Sequence, residues 1–331
     1  MVKSFIFVTK YKIMNKFTFL FLLIFCVLSI SVYSQNNNAG NQNNAKETIK
    51  KDDPWAEFEE EKDSVPRIEF GVNFGAYFAN KFSANYYNGI PRNVNNVNFV
   101  MSNKYWYNDI KNALLASDTV MVYDDPAHGE TGYPMNMHYS IAFTGGLFLR
   151  MNIDRKNGLF LQANYTRLTA TDFLVLHVDP ISYISELPDL RNVPIVGKEG
   201  RVLIDLGYQR SFPMKSKINL FIQVAGTMCY TQMIKSFFNV EDVDYNMVNI
   251  YGDLGYVPGA SSQTFNVYQN EFGFGGFLGV GAGIPLTDNF GLEPSAFMQY
   301  YPTNLAHYTD FKPSFGVMLR IMMNFSKPDE K

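Results

Sequence analysis

Residues 67–79 read RIEFGVNFGAYFA, and every second side chain is of one kind. Ile68, Phe70, Val72, Phe74, Ala76 and Phe78 share one parity, while Glu69, Gly71, Asn73, Gly75 and Tyr77 share the other. Side chains alternate across a strand, so this segment presents one apolar face and one polar or small face, where a helix would scatter both sets. Residues 313–326, PSFGVMLRIMMNFS, repeat the pattern, with Phe315, Val317, Leu319, Ile321, Met323 and Phe325 on one face and Ser314, Gly316, Arg320 and Asn324 on the other. Six comparable segments lie between them, at 139–152, 158–172, 201–212, 218–231, 268–284 and 290–301. All are longer than the roughly 9 to 11 residues a tilted membrane strand needs, whereas soluble strands more often stop at about 5 or 6.

The connections alternate in length. Those at 153–157, 211–217 and 285–289 are short and rich in Asp, Asn, Lys, Gly and Pro, as tight turns require. Those at 80–138, 173–200 and 232–267 are long, and 302–312 is intermediate. Short turns at one end and long loops at the other predict an all-β fold, a closed antiparallel up-and-down transmembrane β-barrel of about eight strands with long extracellular loops. An even strand count puts both termini on the periplasmic side. Aromatic girdles are expected at Tyr77, Tyr230, Tyr268, Phe272 and Tyr300 on the loop side, and at Phe70, Phe212, Phe290 and Phe325 on the turn side. A soluble barrel or sandwich would instead bury the Phe and Leu rows and turn Glu69, Asn73, Arg150, Gln162, Asn164, Asp205, Gln223, Glu293, Gln299 and Arg320 to water.

Composition agrees with the membrane reading. Only 18% of the 331 residues are charged, and 16% are aromatic, with 29 Phe and 21 Tyr against 2 Trp. Mean hydropathy is −0.12, too low for a helical membrane protein but natural where lipid-facing and inward residues cancel. Lys10, Lys12 and Lys16, the apolar run 17–32 and Val32-Tyr33-Ser34 before Gln35 read as a signal peptide cleaved after residue 34. Phe25 before Cys26 is too large for a lipobox. Residues 35–66, Asn-rich and then acidic, read as a disordered periplasmic tail, in which Trp55 and Phe58 are a docking motif or simply solvated. Residues 67–326 form the barrel and 327–331 a short tail.

Removing residues 1–34 takes away four lysines and no acid, so 24 basic residues face 31 acidic ones and the balance becomes −7 with His neutral. That balance lacks the basic footprint of a nucleic-acid binder. Cys229 then has no cysteine to pair with.

The Tyr33-Ser34-Gln35 end of the signal peptide, the first strand Phe70-Gly71-Val72-Asn73-Phe74-Gly75 and the alternating last strand ending at Phe325 resemble the small outer-membrane β-barrel proteins of Bacteroidota, the PorT-like or outer-membrane-protein β-barrel-domain group, over residues 67–326. The resemblance implies an outer-membrane barrel and carries no catalytic residues. The residues 326–331 after the last aromatic and the length of the first loop depart from the group's pattern.

Inside so narrow a barrel, side chains fill the space. Glu293, Arg320, Glu69 and Arg150 fall on four strands that become neighbours on closure, all inward and near the turn end, and a salt-bridge belt is the expectation. A gating lock in a pore is its functional alternative. Gly273, Gly275, Gly279, Gly281 and Gly283 occupy inward positions with no helix after them, so they read as space for Phe221, Phe277 and Phe297 rather than as a phosphate loop. His128, His138, His177 and His307 lack metal-ligand spacing, although Asp124, Asp125 and Glu130 flank His128. No cofactor is implied.

In the first loop, Trp106, Ile110, Ala113, Leu114 and Ser117 have helical spacing, followed by a strand-like 119–123, so this loop is expected to fold. Tyr105, Trp106 and Tyr107 are the candidate binding surface. Arg167 is the outward charge on the third segment, and lipopolysaccharide phosphate is its candidate contact. These features predict a non-enzymatic scaffold or binding protein that meets outer-membrane lipid and other envelope proteins. The alternatives are a narrow channel or a component of an uptake or secretion complex, and a lipid-modifying hydrolase using His307 and Ser314.

Overall fold

The computed structural model describes residues 68–116, 119–121, 132–154, 156–180, 189–214, 218–248, 269–287, 289–303, 305 and 311–324. The segments expected to be a signal peptide and terminal tails, together with Trp55, Phe58, Ser117, Asp124, Asp125, His128, Glu130, Tyr268, His307 and Phe325, lie outside these residues, as does the side chain of His177.

In chain order the elements are β1 (Ile68–Phe78), α1 (Lys81–Ala84), a 3₁₀ turn (Asn85–Tyr87), α2 (Val97–Met101), α3 (Lys104–Ala116), β2 (Thr119–Met121), β3 (His138–Tyr139), β4 (Ala142–Asn152), β5 (Asn157–Pro180), β6 (Asp189–Pro213), β7 (Asn219–Val240), β8 (Val243–Asn246), β9 (Asn270–Pro285), β10 (Phe290–Pro302) and β11 (Phe311–Asn324). Eight of these strands form a ring in the order β1–β4–β5–β6–β7–β9–β10–β11, and β11 returns to β1. Each pairing around the ring is antiparallel. Each strand of the ring therefore has a partner on both sides, which removes the open edge of a flat sheet.

The ring is apolar on the outside and polar on the inside. Phe74, Phe143, Leu147, Leu206, Val224, Phe274, Leu278, Phe315 and Val317 are all at least 43% exposed, whereas Asn73, Asp205, Gln223 and Arg320 are wholly buried. Water would penalise so large an apolar belt, and complete burial of an arginine is tolerated only with a partner. The sidedness is that of a barrel whose outer wall meets lipid, and it rules out the soluble arrangement with the Phe and Leu rows inside.

Three strands are longer than the alternation predicts. β5, β6 and β7 have 24, 25 and 22 residues. At roughly 3.3 Å per residue and a tilt near 45°, such strands rise about twice the ~25 Å height of an apolar belt. The connection 173–200 is thus mostly strand, with β5 reaching Pro180 and β6 resuming at Asp189. The reason is chemical. Inward positions of β5 read Gln162, Asn164 and Thr166 within the belt, then Leu168, Ala170, Asp172, Leu174 and Leu176 beyond it, so the inward face turns from polar to mainly apolar near Arg167, while the outward face carries Thr169, Thr171 and Phe173. The alternation of buried and exposed positions continues past that point, but residue chemistry no longer follows it.

The β6–β7 ladder shifts register between Lys198 and Glu199, passing over Ile234. Below this bulge β7 buries its odd residues up to Met233, and above it Ser236, Phe238 and Val240. A bulge flips which parity faces inward and adds local twist. A second irregularity lies between β9 and β10, where pairing lapses at Glu293 and Pro294 and resumes at Ser295 opposite Gly281. Proline has no N–H for the ladder, so it breaks the pairing on one side only, while β10 stays paired to β11 through Pro294 opposite Leu319.

At the turn end, Asp154 accepts backbone N–H bonds from Lys156 (2.7 Å) and Asn157 (2.8 Å). The Asn157 side chain first, then these amides, hold the Asp154 carboxyl below its ordinary range. At the opposite end the hairpin from β7 to β8 turns on Glu241 and Asp242, with φ of 46° and 67°, as a tight primed turn demands.

Candidate functional site

Three layers of side chains fill the barrel. Nearest the turns, Arg150 reaches Glu69 (2.5 Å) and Glu293 (2.8 Å), and Arg320 reaches the other oxygen of Glu293 (2.9 Å). The four form one chain, Glu69–Arg150–Glu293–Arg320, rather than a flat belt alternating around the wall. Register explains the difference: Glu69 stands opposite Arg150, while Arg320 stands opposite Asn73, four residues farther along β1. Arg320 is the hub. Its guanidinium also donates to Asn73 (2.9 Å) and Gln162 (3.1 Å), and lies 3.4 Å from the centroid of Phe148.

The middle layer continues from those amides. Asn73 donates to Asn164 (2.9 Å), and Gln162 donates to Asp205 (2.8 Å), which also accepts from Thr227 (2.5 Å) and Gln299 (3.2 Å). Phe148, Phe160, Phe277 and Phe297 run across the lumen with successive centroids 5.7, 6.2 and 5.6 Å apart. The inward glycines leave room for such rings: a Cβ on Gly281 would fall 2.4 Å from Phe221.

The third layer lies under the cap and escaped the sequence reading. Arg201 places Nε 2.7 Å and Nη2 2.6 Å from Oε1 of Glu199, and donates to Tyr301 (3.0 Å), Ser83 (3.2 Å) and Tyr139 (3.4 Å). Tyr87 donates to the other Glu199 oxygen (2.6 Å), and Tyr77 and Tyr301 share a 2.6 Å hydroxyl contact. Burial first, then the Glu199 carboxylate, raise the Tyr87 phenol well above its ordinary value and keep it a donor. Tyr77 is completely buried; it belongs to this layer and not to an outer girdle, because it shares inward parity with Asn73. Phe272 and Tyr300 do lie outward, 41% and 47% exposed. The signal for Glu199 and Arg201 was present, since both share the parity of Asp205, but a strand begun at Arg201 hides it.

Above this layer the first connection folds as a roof. Asn80 and Asn96 cap α1 and α2 by accepting from Ser83 N (3.0 Å) and Phe99 N (2.9 Å), and Asn103 accepts from Tyr105 N (3.0 Å) at the start of α3. Ile110 and Leu114 enter a buried cluster with Tyr86, Tyr87, Val97, Val100, Leu174, Ile195, Phe238 and Tyr245. Tyr245 donates to Asp109 (2.9 Å), and Asn95 and Gln269 exchange amide bonds of 2.9 and 2.8 Å. Gly197 permits a close approach of roof to wall: a Cβ there would lie 2.1 Å from the Tyr87 ring. Of the candidate surface, Trp106 and Tyr107 pack against this core, and Tyr105 alone is open, at 55%.

Arg167 is exposed on the outer wall, as is Lys235, with Lys198 half-exposed between them. Ser314 is buried on the inward face and accepts from Asn80 N (3.3 Å), which removes it from the outer wall where a lipid hydrolase would need it. Among the described residues no cluster of three or more His, Cys, Asp or Glu side chains could hold a metal ion.

No family model matches the chain, and no curated protein matches it either. Among the solved structures to which the chain is similar are three surface or outer-membrane barrels. Neisserial surface protein A is 9% identical, with 78% of this chain and 96% of that one covered and a TM-score of 0.34. The N-terminal β-barrel domain of Pseudomonas aeruginosa OprF is 10% identical, with 78% and 98% covered and a TM-score of 0.33. Ail, the attachment invasion locus protein of Yersinia pestis, crystallised with sucrose octasulfate, is 11% identical, with 78% and 97% covered and a TM-score of 0.28.

Proposed function

We propose that the protein is a non-enzymatic anchor in the outer membrane, whose filled barrel presents a folded extracellular cap to a binding partner, with both termini periplasmic. The sequence features shared with Bacteroidota barrels support that location. One observation carries the reading: the helices α1–α3 and the projecting parts of β5–β8 share a single buried apolar cluster over the mouth. Loops on a rigid scaffold are where recognition concentrates, and here the loop has a core of its own. The layers of Arg320, the lumen phenylalanines and Arg201 support a plug over a pore. Glu69, Arg150, Glu293 and Arg320 then serve as structural groups, and Tyr105 marks the part of the helical surface left open for contact.

Planar-bilayer recording separates this reading from a channel. The wild-type protein is expected to give no sustained current, and Arg320→Met to give none while unfolding at lower temperature. A steady, protein-dependent conductance from the wild type would replace the anchor with a channel.

A further inference from the structure

The outer wall carries a second charged feature, unconnected to the lumen. Lys198 on β6 stands directly opposite Lys235 on β7. On the other side Lys198 is opposite Thr169 of β5, while Arg167 is opposite Gly200, so Arg167 is the diagonal neighbour of Lys198. Directly opposed residues have β-carbons about 4.5–5.5 Å apart and diagonal ones somewhat farther, within about 8 Å. Three cations therefore occupy one patch across three adjacent strands. The bulge at Ile234 gathers them, since it turns Lys235 outward on a strand whose odd residues had been facing in.

Among the described residues no carboxylate pairs with any of the three. Like charges directly opposite repel, and the contacts that offset this are weak: both lysine ammonium groups lie 5.9 Å from the centroid of Phe237. Among the described residues the acid on the neighbouring outward positions, Asp244 of β8, accepts from Asn239 instead (2.9 Å). The patch also has a definite height. Tyr165 and Tyr230 lie immediately on its turn side, at the top of the apolar belt that contains Leu206 and Val224, where girdle aromatics mark the headgroup boundary. A cationic patch at that level, with apolar wall beneath it, complements a ligand whose phosphates sit on top of acyl chains.

We propose that Arg167, Lys198 and Lys235 form a binding site for the phosphate groups of an outer-leaflet lipid. The inference rests on the orientation proposed above, but its test does not need that orientation. Folded full-length protein in maltoside micelles is mixed with diphosphoryl lipid A, or with the same lipid after dephosphorylation, and the lipid retained through gel filtration is quantified. The wild type is expected to retain the phosphorylated form at least roughly tenfold better, and R167Q/K198Q/K235Q to lose that preference, since charge-assisted bonds of this type are individually worth a factor of about ten or more. R167K/K198R/K235R is expected to keep it. Equal retention of both lipids by the wild type, or undiminished preference in the glutamine variant, overturns the site. Displacement by millimolar inorganic phosphate overturns its assignment to a lipid. The heat-sensitive gel mobility of each sample reports whether the barrel itself is intact, and K198Q/K235Q provides the same comparison should the triple variant fail to fold.

Discussion

Replacing Glu293 by alanine is expected to destabilise the barrel by about 3–5 kcal/mol, because it removes the one carboxylate shared by Arg150 and Arg320 and leaves two cations in the lumen. Arg150 would retain Glu69, but Arg320 would keep only amide partners and the face of Phe148. Urea titration of the folded protein in lipid vesicles measures the loss. Replacing all four charged residues with apolar groups of similar volume is expected to cost much less, since a buried ion network is held in place chiefly by the penalty of breaking it. Should E293A unfold at the wild-type urea concentration, the network is solvated and the filled lumen is wrong.

Arg201→Met is expected to act at the other end of the molecule and in a different way. It strands Glu199, which is wholly buried and has Arg201 and Tyr87 as its partners, again at a cost of about 3–5 kcal/mol. Arg201 also bonds Ser83 of α1 and Tyr301 of β10, so the loss falls on the junction between roof and barrel. The roof should open locally while the ring stays closed, because regions of a protein unfold in units of unequal stability. Limited proteolysis should cut within 81–116 faster than in the wild type, with the barrel's gel mobility unchanged. Loss of both together would mean that cap and barrel form one cooperative unit.

How far the sequence reveals this arrangement depends on what period two can report. Within the belt, lipid outside and a filled lumen inside force opposite chemistry onto alternate residues, so β1, β4, β10 and β11 are legible nearly to the residue. Beyond the belt water replaces lipid and the cap core replaces the lumen, so the inward face of β5 and β6 turns mainly apolar and the contrast between faces fades; the strands continue where the belt's pattern stops. Lys198, Glu199 and Arg201 lie where β6 passes from belt to cap, before or at the very start of the segment 201–212 that the alternation marks, and so do not emerge as a site from the sequence. Glu69, Arg150, Glu293 and Arg320 could be grouped from parity and strand order alone. Their actual pairing could not, because it depends on the stagger that sets Arg320 against Asn73. The third layer adds contacts between residues as far apart as Ser83 and Arg201, which no local pattern encodes. Helix α3 was legible because its stripe of Trp106, Ile110 and Leu114 obeys the helical period.

The account depends on which face of the ring touches lipid. Trp55 and Trp106 are the two tryptophans of the chain, so a Trp55→Phe/Trp106→Phe background permits single reporters. Leu206→Trp, at a position 65% exposed on the wall, and Phe160→Trp, at one 1% exposed in the lumen, can then be compared in bilayers of brominated-chain lipid. Strong quenching of the first and little of the second is the predicted result; quenching of the lumen reporter with the wall reporter spared would contradict it.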